Sequence, residues 1–545
     1  MTRPAPAVTA WLVGALAFLV GAAILDGRPR RVRLASPDVV LVAVLAAVAV
    51  VPRVISLETI PLNLSGDEGE MGEMARAVLR GELVNPFGTG WLSHPTLWFF
   101  MQAGSLRAFG DDVVGLRMLS ALIGAATVGA LYVFARFAYG RATAIVAAAL
   151  LAVYHFHVHY SRIGLNNVAD ALPALVAYTA LLYGIRRHSW LGFGVAGAAL
   201  GLSIYFYMGA RLVPLVAAIV LAHLLLVDRR RFRQLAPRIA LVPVGFALVA
   251  GPLLRWFTDH PDAFDARLKL VGLFQSGAFD ERENAGESEL AILGDQFRRA
   301  VGAYTSVPDR STFYDPGSPL LDPISATLFA IGLMALVVAW RRSESALLAS
   351  WLLGAALLGG MLLVDPPQSP RYVNAAPAVC LVIALGLVSG MRHMGRLAGL
   401  SPRTQHVVVA VTVSGLALWN LNFYFRDYTS RAKLGGPRTE LQTAVARSIA
   451  TRPGTTYVYL LAGRDELYMN NGTIRFIAPG RTGLDVLPST SVADVPLVAV
   501  PHMYVVTPGR FAEISAIRSR EPGGRLGLRR SEVDDRPLFA TYEPS

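Results

Sequence analysis

An α-helical polytopic membrane protein of about twelve or thirteen spans, finished by a small α/β domain, is what this sequence predicts. Three observations carry that reading. The 545 residues are 54% hydrophobic and only 16% charged, against about 25% charged in soluble domains, and the mean hydropathy is +0.46. Apolar runs long enough to cross a bilayer recur up to about residue 425. Between them the basic residues stand in short clusters, "RPRRVR" (28–33), "DRRRFR" (228–233) and "WRR" (340–342), which is the positive-inside pattern of membrane loops. The net charge of +12 is therefore spread over loops. No long basic tract or nucleic-acid motif accompanies it, so a nucleic-acid partner is excluded and the bilayer is the expected one.

The runs read as 8–25, 37–57, 112–138, 142–158, 166–185, 189–206, 209–227, 239–257, 322–340, 345–364, 372–391 and 405–425, with a shorter interfacial piece at 96–109. The first run lacks a basic n-region and an A-x-A cleavage site, so it reads as a retained helix. With 26–36 placed inside, alternation puts 139–141, 186–188, 228–238, 341–343 and 392–403 inside too, and all are basic. The opposite loops are 58–111, 159–165, 207–208, 258–321, 365–371 and the tail, and they hold most acids, histidines and tyrosines. Residues 1–425 thus form a transmembrane domain, and 426–545 an extracytoplasmic one. The tail mixes apolar strands ("TTYVYLLA", "IRFIA", "MYVVT", "LFATY") with helical segments at 437–451 and 509–520. Lysine occurs only at Lys269 and Lys433 while arginine abounds. That composition suggests a GC-rich bacterial genome and so an inner-membrane protein. The single Cys380 lies in an apolar run and reads as a small buried hydrophobe.

The chemistry gathers on the outer loops. In "SGDEGEMGEMARAVLRG" the residues Met71, Met74, Ala75, Val78 and Leu79 share one helical face, with Glu70, Glu73, Arg76 and Arg80 opposite. Ser65-x-x-Glu68 fits a capping box. Asp67 and Glu68 can therefore simply open a helix, or serve as reactive acids beside the membrane. His94 lies in "GTGWLSHPTLWFF", an aromatic anchor or a pocket wall. In "YHFHVHYSRIGLNNVADA" the three alternating histidines put only His155 and His159 on one face, a poor metal site. Arg162, Asn166, Asn167 and Asp170 there sit at a span junction, where polar residues line cavities or cap helices. Tyr205, Tyr207 and Arg211 occupy the rim of a tight span pair, and Arg371 and Tyr372 begin a later span. Such arginines either snorkel to headgroups or grip phosphate oxygens. Acids from one loop and arginines from others, on one face, point to chemistry on a lipid phosphate.

At this point the chain resembles a family, the polyprenyl-phosphate-dependent C-type glycosyltransferases, in the group of protein O-mannosyltransferases and aminoarabinose transferases. Arg53, Pro61 and Asp67-Glu68, then "ARAVLRGEL", "HPTLWFF", "FGDDVVGLRMLSALIGAATVGALYVFAR" and "YSRIGLNNVADALPAL", follow in the family's order over about residues 45–390. Two positions depart from it. Where relatives read like "KPPL", this chain has Ser93-His94-Pro95-Thr96-Leu97, so the lysine's place falls to His94. Where relatives carry an aspartate after "SR", the register gives Asn167, with Asp170 one turn on. The tail does not resemble the β-trefoil of eukaryotic protein mannosyltransferases.

The resemblance implies a C-type fold and an inverting transfer from a polyprenyl-phosphate sugar to an acceptor hydroxyl on a glycolipid, cell-wall glycan or protein. The leaving phosphate needs no general acid, so one base suffices. Asp67 is that base and Glu68 its support. Arg211, then Arg162 and Arg371, stabilise the phosphate, and His94, Asn167, Asp170, Tyr205, Tyr207 and Tyr372 line the pocket. No metal ligands are assigned and the need for a divalent ion is left open. The alternative is a transporter or flippase of lipid-linked sugars. It would call for repeats and midplane charges, and the sequence shows no convincing repeat. A non-catalytic assembly subunit would favour an altered Asp67, and the acid is present.

Overall fold

The computed structural model describes residues 4–27, 36–431, 435–463 and 466–545. The basic cluster at 28–33 and Lys433 lie outside the described residues. Among the described residues, nine helices are long and apolar enough to cross a membrane, from Pro6–Leu25 to Pro402–Tyr428. Three shorter apolar helices, Arg141–Val153, Trp190–Ser203 and Pro323–Val338, complete the set of runs read from the sequence. The chain is a multi-pass membrane protein.

The bundle has a graded interior. Helix Ala376–Leu397 is buried along most of its length against Pro323–Val338 and Arg141–Val153. Val113–Tyr139 also touches it, and Ala171–Arg187 packs on Val113–Tyr139 in turn. Pro4–Leu25 and Pro402–Asn422 lie at the periphery with exposed Leu16, Ile24, Val411 and Leu418, the lipid-facing composition that a bilayer demands. The 142–158 run breaks at Tyr154, and its end becomes a separate short helix, His155–Tyr160. Loop 258–321 is mostly helical, as Pro261–Val271, Ala278–Asn284 and Glu289–Gly302.

The C-terminal unit holds a five-stranded sheet. Its strands are β1 (Tyr457–Leu461), β2 (Gly483–Asp485), β3 (His502–Val506), β4 (Arg525–Arg530) and β5 (Pro537–Glu543), in the order β2-β1-β3-β5-β4. β1 runs parallel to β2 and β3, and β5 antiparallel to β3 and β4. Helix Gly436–Ala450 covers one face. One expected strand is corrected: "IRFIA" belongs to helix Gly472–Ile477. The Asn471 side chain accepts from Thr473 N at 3.0 Å and turns the chain into a helix despite its β-branched residues. β2 is only three residues long, and β4 is an exposed basic edge whose alternating Leu526 and Leu528 are not buried.

The unit docks on helix Gly66–Leu79. Gly69 meets Gly472 backbone to backbone, and Gly72 meets the Phe476 ring, with no room for a β-carbon at either. Arg475 reaches Glu70 at 3.3 Å and Glu73 at 3.8 Å. Arg76 bonds Glu73 at 2.7 Å, Asp111 at 2.8 Å and the Phe476 carbonyl at 3.0 Å. Glu70, Glu73 and Arg76 on the polar face are therefore covered by the C-terminal unit, while Arg80 stays exposed.

Candidate active site

The helix carrying the paired acids begins where the sequence placed it. Ser65 accepts from Glu68 N and the Glu68 carboxylate from Ser65 N, both at 3.2 Å, which completes the capping box. The two acids then part. Glu68 points inward and is fully buried. It accepts from Arg117 Nε at 3.0 Å and from Gly164 N at 2.8 Å. Arg117 also grips the carbonyls of Leu57, Pro61 and Asn63. Glu68 is thus a strut that joins three segments and fixes the first helical turn on which Asp67 stands. Asp67 is half-buried, and its carboxylate has no hydrogen-bond partner among the described residues. Burial pushes its carboxyl above the usual carboxylate range, the Arg267 guanidinium pulls it back, and Glu68 adds to the rise.

Arg267 is the residue that sequence reasoning missed. It projects from helix Pro261–Val271, which packs over the turn Trp91–Ser93. Its buried Nε has no hydrogen-bond partner among the described residues, so it retains capacity for a ligand oxygen. Its charge reaches Asp67, His94 and Arg371 alike. Nothing in "DAFDARLKL" marks it, because only tertiary closure brings it to the acids.

A cavity of ≈ 390 Å³ lies beside it, with Tyr207, Arg211, Arg267 and Arg371 on its polar side and Leu212, Val271, Leu358 and Leu362 on its apolar side. Arg211 spends one nitrogen on the Phe264 carbonyl at 2.9 Å and stacks on the Phe264 ring at 4.0 Å. Arg371 spends one on the Val364 carbonyl at 2.9 Å. The remaining guanidinium donors suit phosphate oxygens. A narrow cleft continues from the cavity past Tyr207, Arg211 and Arg267 to His94.

His94 is sandwiched between Trp91 and Tyr207, with ring centroids at 5.8 and 6.3 Å. Burial, helped by the Arg267 charge, pushes its pKa down to about 3, so the ring stays neutral. The Asn166 amide nitrogen approaches both His94 Nδ1 (3.2 Å) and the Phe206 carbonyl (3.1 Å). A carbonyl neighbour requires the amide NH₂ on that side. Nδ1 then accepts, and Nε2 carries the proton as a neutral donor.

The turn Asn166–Asp170 braces the walls. Asn166 holds His94, Asn167 donates to the Pro370 carbonyl at 3.1 Å beside Arg371, and buried Asp170 accepts from Tyr207 N at 2.9 Å. Asn167 and Asp170 therefore position the pocket walls, which corrects their expected place on its surface. Three further expectations are corrected. Arg162 is fully buried, with its guanidinium committed to the carbonyls of Pro52, Ile55, Ser56 and Ile60 and to the Tyr424 side chain, so no donor is left for phosphate. Tyr205 turns away to the Val249 carbonyl at 2.9 Å and packs with Trp11 and Phe87. Tyr372 is core, its hydroxyl on the Ala300 carbonyl at 3.2 Å. His155 and His159 are likewise occupied, by the Tyr314 hydroxyl at 2.5 Å and the Phe313 carbonyl at 2.7 Å.

The sequence model of the family described as dolichyl-phosphate-mannose-protein mannosyltransferase matches residues 93–256. The chain superposes on ArnT from Cupriavidus metallidurans bound to undecaprenyl phosphate with a TM-score of 0.55, at 16% identity, over 92% of this chain and 98% of that one. It superposes on the archaeal oligosaccharyltransferase AglB from Archaeoglobus fulgidus, in complex with an inhibitory peptide and a dolichol-phosphate, with a TM-score of 0.51, at 13% identity, over 82% of this chain and 64% of that one. No curated protein matches the sequence. Segment 93–256 thus carries a glycosyltransferase family signature, and over 92% of its length the chain shares the fold of ArnT.

Proposed function

We propose that this protein transfers a sugar, with inversion, from a polyprenyl-phosphate donor to an acceptor hydroxyl on the outer face of a bacterial cell membrane. The carrying observation is the cavity that joins three guanidiniums to an apolar wall, with Asp67 in the field of one of them. A phosphate on a long hydrocarbon tail needs both surfaces. The undecaprenyl phosphate bound by ArnT and the dolichol-phosphate bound by AglB are ligands of this chemistry.

In the proposed step Asp67 takes the proton of the acceptor hydroxyl. The acceptor oxygen attacks the anomeric carbon as the bond from that carbon to the phosphate oxygen breaks. The electron pair leaves on polyprenyl phosphate, whose growing charge meets Arg211, Arg267 and Arg371. His94 offers a neutral Nε2–H to the donor. One displacement inverts the anomeric centre. A transporter reading gains no support from a charge cluster gathered at one end of the bundle.

The test is transfer from radiolabelled polyprenyl-phosphate sugars by purified wild type and Asp67→Asn. Loss of the base is expected to lower turnover about 10²- to 10⁴-fold. Equal turnover of the two proteins would overturn the mechanism.

A further inference from the structure

At the end of the bundle away from Asp67 lies a second cavity, of ≈ 800 Å³, between helices Val113–Tyr139, Ala171–Arg187 and Trp190–Ser203. Arg117, the partner of Glu68, and Arg136, at this cavity, share one helix and stand about 28 Å apart at 1.5 Å per residue. That is close to a hydrocarbon thickness. The walls are apolar, from Ala130, Val133, Val176, Ala180 and Val195. Val176 is exposed, so the groove opens sideways where acyl chains would be.

Its mouth is basic. Arg136, Arg186 and Arg187 line it against the single carboxylate of Asp38. Asp38 is already shared, with Arg136 at 3.4 Å, Arg141 at 3.5 Å and the Tyr132 hydroxyl at 2.6 Å. Arg186 is held by Glu344 and the Phe137 carbonyl. Arg187 is exposed and has no ion-pair partner among the described residues. Positive charge is thus left over beside an apolar slot that faces lipid. Basic pockets between transmembrane helices hold anionic headgroups.

We propose that this groove binds an anionic phospholipid, with one acyl chain along the apolar walls and the headgroup phosphate at Arg136 and Arg187. A zwitterionic headgroup brings its own ammonium, which the same arginines repel. The site is separate from the proposed donor cavity and does not depend on glycosyl transfer.

The test uses the full-length protein in detergent, with native mass spectrometry and melting curves. The probes are phosphatidylglycerol, phosphatidylcholine, undecaprenyl phosphate and inorganic phosphate. Phosphatidylglycerol is expected to be retained and to raise the melting temperature more than phosphatidylcholine. The double variant Arg136→Gln/Arg187→Gln should retain it on the order of tenfold less. Val176→Trp, which fills the groove and keeps every arginine, should lose it too, and Arg371→Gln should keep it. Equal retention of the two phospholipids, or wild-type retention in Val176→Trp, would overturn the site. Preference for undecaprenyl phosphate would overturn the phospholipid as occupant, and an equal shift from inorganic phosphate would overturn the role of the chain.

Discussion

Glu68 has four donors around its carboxylate, from Ser65, Arg117 (two) and Gly164, while Asp67 has none among the described residues. Their substitutions should separate accordingly. Glu68→Ala leaves the buried Arg117 charge without its partner and is expected to cost about 3–5 kcal/mol, read as a lowered melting temperature. Asp67→Asn removes a carboxyl whose burial disfavours its charge, so the melting temperature should hold or rise while turnover collapses. A fall in both variants alike would give Asp67 a structural role instead. The pH profile follows from the same environment. A base works only when ionised, so activity falls as pH drops through the Asp67 pKa. Burial places that fall above the ordinary carboxylate value of about 3.9. Arg267 opposes the shift, so Arg267→Gln should move the acid limb of kcat/KM further up while also lowering kcat. An unmoved limb would show that the charge does not reach Asp67. His94, pushed down to about 3, adds no limb near neutral pH.

At the scale of elements, the helix Gly66–Leu79 was legible in the sequence because its signals are local: the capping box, the first-turn acids and the spacing of Met71, Met74 and Ala75. What covers its polar face was not, since Gly472 and Arg475 lie some four hundred positions away in the chain. Arg267 was hidden for the same reason, and so was the commitment of Arg162 to four carbonyls. "IRFIA" misled because β-branched residues outweighed a single capping asparagine. The Gly69–Gly472 crossing now makes an element-level prediction. A methyl at residue 69 falls on the Gly472 carbonyl, and overpacking of this kind costs about 1–3 kcal/mol. Gly69→Ala should therefore loosen the C-terminal unit, seen as faster proteolysis within 435–545, and lower transfer by shifting Asp67. A protease pattern identical to wild type would mean that the crossing is not what holds the two together.

At the scale of the molecule, the spans were legible because hydrocarbon thickness sets a length that any sequence must meet. The donor cavity was not, because its walls come from residues 207–212, 267–275 and 355–374, which no local pattern links. The proposed outer-face reaction depends on one further molecular property, which side of the membrane the C-terminal unit faces. In the proposed topology the basic loops 228–238 and 392–403 face inward, with the sheet and Asp67 outside. The sequence offers a clean assay, since its single cysteine, Cys380, is buried and gives little background to a membrane-impermeant maleimide. Ser489 in the C-terminal unit and Gln234 in a basic loop are both exposed. In intact cells Ser489→Cys should label and Gln234→Cys should not, and permeabilisation should bring Gln234→Cys to the same level. The reverse pattern would put Asp67 and the arginine cavity on the inner face and overturn the outer-face reaction, whatever the transfer assay shows.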